Sequence, residues 1–214
     1  MDLQLDNMLI ETIDRCNLAF FENQSLTALE RYELVRGIAA NVESETAALG
    51  GEDLFLFTGE RLRTRAAASA ILLEESARAL ILLDSPTVDG VMALEEARRR
   101  LAGKCFTDGC TLGECAHAAV GWLRYLAVTD LPDTERRLEI GLRRVNALRD
   151  ANGRWKGLPF YYTLLMLTEL DSPLARRELR YAAPACEKLV GMQPGSEVFG
   201  QRRLAVLERV LCLS

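Results

Sequence analysis

Apolar residues recur along most of this chain at the three-and-four spacing of an amphipathic helix, and strand-like alternation is confined to Asp53-Leu-Phe-Leu-Phe-Thr58. From Asp2 to Phe21 one stripe carries Leu5, Met8, Leu9, Ile13, Cys16 and Phe20, and Asn23-Gln-Ser25 ends it. Thr27-Ala-Leu-Glu30 is a capping box that opens a second helix to about Leu49, stopped by Gly50-Gly51. A third helix starts at Thr58 or Gly59 and runs to about Leu83; its middle is nearly all alanine and leucine, which predicts deep burial. Ser85-Pro86 reads as the N-cap and first residue of the next helix, to about Leu101. Thr111-Leu-Gly-Glu114 is a second capping box, opening a helix to about Val128. Leu131-Pro-Asp-Thr134 opens another to Arg149, Pro159 one to about Leu170, Ser172-Pro173 one to about Val190, and Glu197 to Leu213 is the last. The pattern predicts one all-α domain over 1–214, with about nine helices and no linker.

The loops between these helices repeat. Gly109-x3-Gly113, Gly153-x3-Gly157 and Gly195-x4-Gly200 each lead into a helix, and their second glycines fall 44 and 43 residues apart. Gly51-x7-Gly59 is a looser member, 54 residues before Gly113. A period in the forties with two helices per unit marks an array of α/α hairpins, each burying its apolar face on the next. Residues 1–26 then form an N-terminal capping helix and 27–213 about four hairpins, with the glycine loops on one rim. Such an array closes into a partial or small α/α toroid, its inner helices around a cavity, or stays an open helical solenoid. An uncovered end predicts self-association or a helical partner subunit.

Composition narrows the function classes. Apolar residues make up 49% of the chain, enough for a substantial core, and the net charge of −5 argues against a general nucleic-acid surface. The pairs Arg136-Arg137, Arg143-Arg144, Arg176-Arg177 and Arg202-Arg203 have acids nearby and read as solvated helix faces. No basic, apolar leader opens the chain and no run is long enough to span a membrane, which predicts a cytoplasmic protein with reduced, mostly buried cysteines. Glu74-Glu75 and Glu95-Glu96 are adjacent on helices and diverge, so neither is an acid/base dyad.

The chemically loaded stretch is Lys104-Cys-Phe-Thr-Asp-Gly-Cys-Thr-Leu-Gly-Glu-Cys-Ala-His117, with three of the six cysteines and the only histidine. Its Cys-x4-Cys-x4-Cys run is not read as a zinc finger, whose cysteines come in separate pairs. Two readings stand side by side: a metal site, or small hydrophobes and idle thiols. Trp122, Tyr125, Phe160, Tyr161 and Tyr162 fall on the more apolar helix of each pair, as the lining of an apolar ligand pocket or as ordinary core.

Leu148-x3-Asn152-Gly-Arg-Trp155-x-Gly157 resembles the repeat of terpenoid cyclases and protein prenyltransferase β subunits, over roughly residues 27–212. Asp108-Gly-Cys110 resembles the Asp-x-Cys motif with which protein farnesyltransferase-like β subunits hold zinc, and Phe160-Tyr-Tyr-Thr163 stands where that family has Phe-Tyr-His-Thr. The resemblance implies a zinc site at Asp108 and Cys110, with Tyr162 in place of the histidine ligand; separately, Cys110, Glu114 and His117 would share a face of a continuous helix, which makes His117 a further candidate ligand. It also implies cationic residues that hold a diphosphate, near which Lys104 and Arg98 to Arg100 lie. The resulting expectation is a prenyltransferase-like α/α-toroid protein of binding or scaffold type, with a concave apolar pocket for a partner or a small apolar ligand, and either no cofactor or Zn. The other reading is a zinc-dependent prenyltransferase- or terpenoid cyclase-like enzyme.

Overall fold

The computed structural model describes residues 2–42, 54–62, 64–113, 115–192 and 197–214, with side chains from Met8 onward. Within them the protein is all-α apart from one short hairpin. Its helices are α1 Asp2–Phe21, α2 Ala28–Val42, α3 Arg65–Leu83, α4 Val88–Leu101, α5 Cys115–Leu126, α6 Thr134–Ala147, α7 Phe160–Thr168, α8 Pro173–Val190 and α9 Val198–Leu213. The hairpin is β1 Leu54–Phe55 with β2 Arg61–Leu62, and a 3₁₀ turn covers Cys105–Asp108. None of the described helices is long and apolar enough to cross a membrane.

The helices form two layers that follow their composition. In α7 every residue from Tyr162 to Leu167 is buried, and α3 is buried over most of its length, whereas amphipathic α6 buries only Leu142 and Val145. The apolar helices touch in order: α1 packs on α3, α3 on α5, α5 on α7 and α7 on α9. The even-numbered helices lie against them, α2 beside α4 and α6 beside α8. The last helix returns to the first. Arg202 donates to both Asp14 carboxylate oxygens at 2.7 and 2.6 Å, and Arg209 donates to the Phe21 carbonyl at 2.7 Å.

The element boundaries show which local signals dominate. Thr27 and Glu30 form the capping box, with the Thr27 amide 2.8 Å from the Glu30 carboxylate and the Glu30 amide 3.3 Å from the Thr27 hydroxyl. Ser172 caps α8 and Pro173 opens it. Two starts differ from expectation. The third helix begins at Arg65 rather than Thr58 or Gly59. Gly59 sits at φ 80° in a tight turn, where a side chain would collide with Phe199 of α9, and the Thr64 hydroxyl supplies the cap. Helix α4 starts at Val88 because Thr87, not Ser85, accepts the Gly90 amide at 3.0 Å. The Gly50-Gly51 stop, Glu114 of the second capping box and Gly195 lie outside the described residues.

Polar side chains fasten the hairpin over the first helices. Leu56, Phe57 and Thr58 are buried, and Arg202 donates to the Phe57 carbonyl. Arg203 donates to the Thr58 and Gly59 carbonyls at 2.7 and 2.8 Å, and Glu60 accepts the Tyr162 amide at the start of α7 at 3.0 Å. The expectation that the arginine pairs are solvated holds for Arg143 and Arg176 but not for Arg202, which is 8% exposed and ion-paired with the half-buried Asp14.

Candidate functional site

The loaded stretch folds into a small knot. Phe106 and Thr107 are buried and anchor the 3₁₀ turn, and the Thr107 hydroxyl closes on the Lys104 carbonyl at 2.6 Å. Gly109, at φ 86°, then reverses the chain so that the Cys110 amide donates to the Cys105 carbonyl at 3.2 Å. Gly113, at φ 52°, makes the second reversal, after which the Cys115 amide donates to the Leu112 carbonyl. Each four-residue interval between cysteines therefore holds one left-handed glycine, a conformation that other residues rarely adopt. As a result the three sulfur atoms lie within 4.8 Å of one another, with Cys105 and Cys115 3.2 Å apart. Cys105 is exposed and the other two are half-buried. The Leu112 amide, donating to the Cys110 sulfur, holds that thiol below its usual value. The neighbouring Cys105 thiol and partial burial push Cys115 up to about 12.

A groove of about 650 Å³ opens beside the knot, between α3, the C-terminal end of α4 and α5. Its floor is apolar, with Ala66, Ala67, Ala70, Leu73, Leu101, Phe106 and Ala118, and Cys105 and Cys115 stand in its wall. Arg99, Arg100 and Lys104 also line it, with Arg99 paired to Glu96 at 2.6 Å, and among the described residues no acidic side chain is part of the lining.

Between α1, α3, α5 and α7, where a concave apolar cavity is expected, lies a buried charged network. Arg124 of α5 donates to both oxygens of Glu169 at 2.8 Å and to Glu75 of α3. Arg78 donates to Glu169 at 2.9 Å and to the Asn17 side chain of α1 at 3.1 Å, and Asn17 donates to Glu75 at 3.0 Å. The Tyr162 hydroxyl also donates to Glu75. Its phenol is held well above the usual range by burial and by the Glu75 carboxylate, whereas Arg124 and Arg78 hold Glu169 low against the opposing effect of its burial. The two guanidinium groups balance the two carboxylates. Glu74, next in sequence to Glu75, is fully buried with both oxygens unpartnered, and burial followed by Glu75 raises its carboxyl well above the usual range.

The structure separates residues that the sequence groups together. Tyr162 is committed to Glu75 and lies under the Arg124 guanidinium, 5.1 Å from its ring centroid, so the Asp108, Cys110 and Tyr162 positions do not assemble a donor set. Asp108 is exposed on the 3₁₀ turn, and His117 lies on the first turn of α5; neither belongs to the three-thiol cluster. The aromatic residues do not share one pocket. Trp122 and Tyr125 line a cleft between α4 and α6, Tyr162 borders a small cavity under the hairpin, and Phe160 packs between Tyr161 and Trp155. Trp155 is buried and donates to Glu178 of α8 at 3.0 Å. Cys105 and Cys115 are the members of the knot that spacing alone misses; the pointer to them is a glycine in each interval. The charged network has its own pointer in Glu74, Glu75, Arg78 and Arg124, ionic groups on otherwise apolar helices that need buried partners. No family model, curated protein or solved structure matches this chain.

Proposed function

We propose that this chain is a binding protein of the prenyltransferase-like α/α-toroid type, and that its ligand is a small apolar molecule with an anionic head. The observation that carries the reading is the groove between α3, α4 and α5. Its volume of about 650 Å³ falls within the roughly 300–1,000 Å³ of small-molecule sites. An alanine and leucine floor suits a hydrocarbon body, and the cationic side chains of Arg99, Arg100 and Lys104 along its wall suit a phosphate or carboxylate head. An isoprenyl diphosphate joins both properties and is the ligand class that the sequence resemblance implies. The succession α1, α3, α5, α7, α9, with α9 bonded back to α1, supports the toroid type over an open solenoid.

Titration with a fluorescent prenyl diphosphate analogue tests this. Saturable one-site binding is expected. Ala70→Trp, at a half-exposed floor position, should weaken it about 10-fold or more, equivalent to about 1.4 kcal/mol. Arg99→Glu combined with Lys104→Glu should weaken the diphosphate but not the corresponding prenyl alcohol. Binding that is unchanged by Ala70→Trp would overturn the assignment of the groove.

A further inference from the structure

We propose that Cys105, Cys110 and Cys115 bind a thiophilic metal ion through their three thiolates. The argument is geometric and independent of the groove's ligand. A zinc ion holds thiolate sulfur at about 2.3 Å, so three sulfurs around it sit about 3.8–4.0 Å from one another. The three sulfurs here already lie within 4.8 Å, with the closest pair at 3.2 Å, so shifts of less than about 1 Å complete the site. The same 3.2 Å is well outside the roughly 2.05 Å of a disulfide.

The other cysteines show what packing thiols look like in this protein. Cys16 and Cys186 are buried, and burial pushes their thiols up to about 12 and about 11; Cys212 is exposed and belongs to no cluster. The knot is the reverse case, with three thiols brought together by two left-handed glycines at the surface, where an ion can enter. Three soft ligands select Zn(II) or Cu(I) over Mg(II), Ca(II) or Mn(II). Cys105 and Cys115 also line the groove, so any open coordination position faces it. Binding releases thiol protons as the thiolates form, and no electron is transferred.

The test uses the full chain, reduced and metal-free. Co(II) serves as the optical probe, through its sulfur-to-metal charge-transfer band. Zn(II) and Cu(I) are each titrated against a chromophoric chelator, which separates the two ions. One equivalent is expected to bind. Cys105→Ser, Cys110→Ser and Cys115→Ser should each lower affinity at least ~100-fold, no less than the upper end of what losing a supporting partner costs. Cys16→Ser, Cys186→Ser, Cys212→Ser, Asp108→Asn and His117→Ala should leave it within about 3-fold, and circular dichroism confirms that each variant is folded. The proposal is overturned if the reduced protein binds none of these ions, if the only reaction of the knot is a Cys105–Cys115 disulfide, or if affinity depends on Asp108 or His117 rather than on all three thiols. The groove is tested by the loss of prenyl diphosphate binding in Ala70→Trp and the knot by metal affinity in the cysteine variants, so the two proposals are tested by different variants and different readouts.

Discussion

Helix α5 carries two clusters of chemically capable side chains, one on the loop that leads into it and one around Arg124, and they solve opposite problems. Around Arg124 the buried charges are matched, as Glu75 and Glu169 face Arg78 and Arg124, and Asn17 and Tyr162 take up further hydrogen bonds, although Arg78 Nε is buried without a partner. In the knot the sulfurs have mainly each other as partners and lie near solvent. Burial with matched charges turns reactive groups into structure, whereas clustering without burial keeps them available. The difference follows from position. Arg124 is on the fully buried stretch of α5, while Cys115 is at its first residue.

The comparison breaks most visibly at Arg124. Arg124→Met leaves Glu75 and Glu169 short of a countercharge in a buried site and should cost about 3–5 kcal/mol, read from urea unfolding. Adding Glu169→Gln to that variant should recover part of the loss, because it removes one uncompensated charge. A cost under about 1 kcal/mol for Arg124→Met would mean that the network contributes little to the fold.

A second test uses pH. Glu74 is buried beside Gly121, where an added Cβ would come within 2.2 Å of its Oε2, so the missing glycine side chain makes its room. Its carboxyl is raised in the folded state, so the penalty is absent below the unfolded value of about 4.3 and grows as pH rises toward the folded value. Relative to Glu74→Gln, the native protein should lose up to about 1.4 kcal/mol per pH unit across that window. Urea midpoints of both proteins at pH 4, 5.5 and 7 check this, and parallel curves would show that Glu74 ionises freely.

The smallest effect belongs to the knot. Cys105→Ser combined with Cys115→Ser should change metal-free stability by less than about 1 kcal/mol, in keeping with substitutions near the surface. A loss above about 2 kcal/mol would make the knot part of the fold's framework and erase the contrast.

How much of this was legible beforehand depended on whether the signal was local. Periodicity and caps act within one or two turns, so α1 and α8 emerge with the expected bounds and the Thr27 capping box forms as read. Arg202 was misjudged because its partners, Asp14 and the Phe57 carbonyl, are far away in sequence, and an arginine pair beside acids looks the same on a solvated face. The start of α3 was misjudged because Gly59 is fixed by Phe199, again distant. For the site, Cys110 was legible as a motif. The convergence of Cys105 and Cys115 on it depends on two left-handed glycines whose effect on direction no spacing rule records. The Asp108, Cys110 and Tyr162 set was drawn from a resemblance, and Tyr162 is occupied by Glu75.

The bond between the last helix and the first also has a consequence in time. Asp14 and Arg202 are 188 residues apart, so at 5–20 residues per second a ribosome needs about 10–40 s after making one to make the other. For the last 145 residues of that interval the hairpin's Leu56 and Phe57 lack the arginines that later hold it down. A nascent chain thus carries an unfinished apolar surface until α9 emerges and bonds to α1 and to the hairpin.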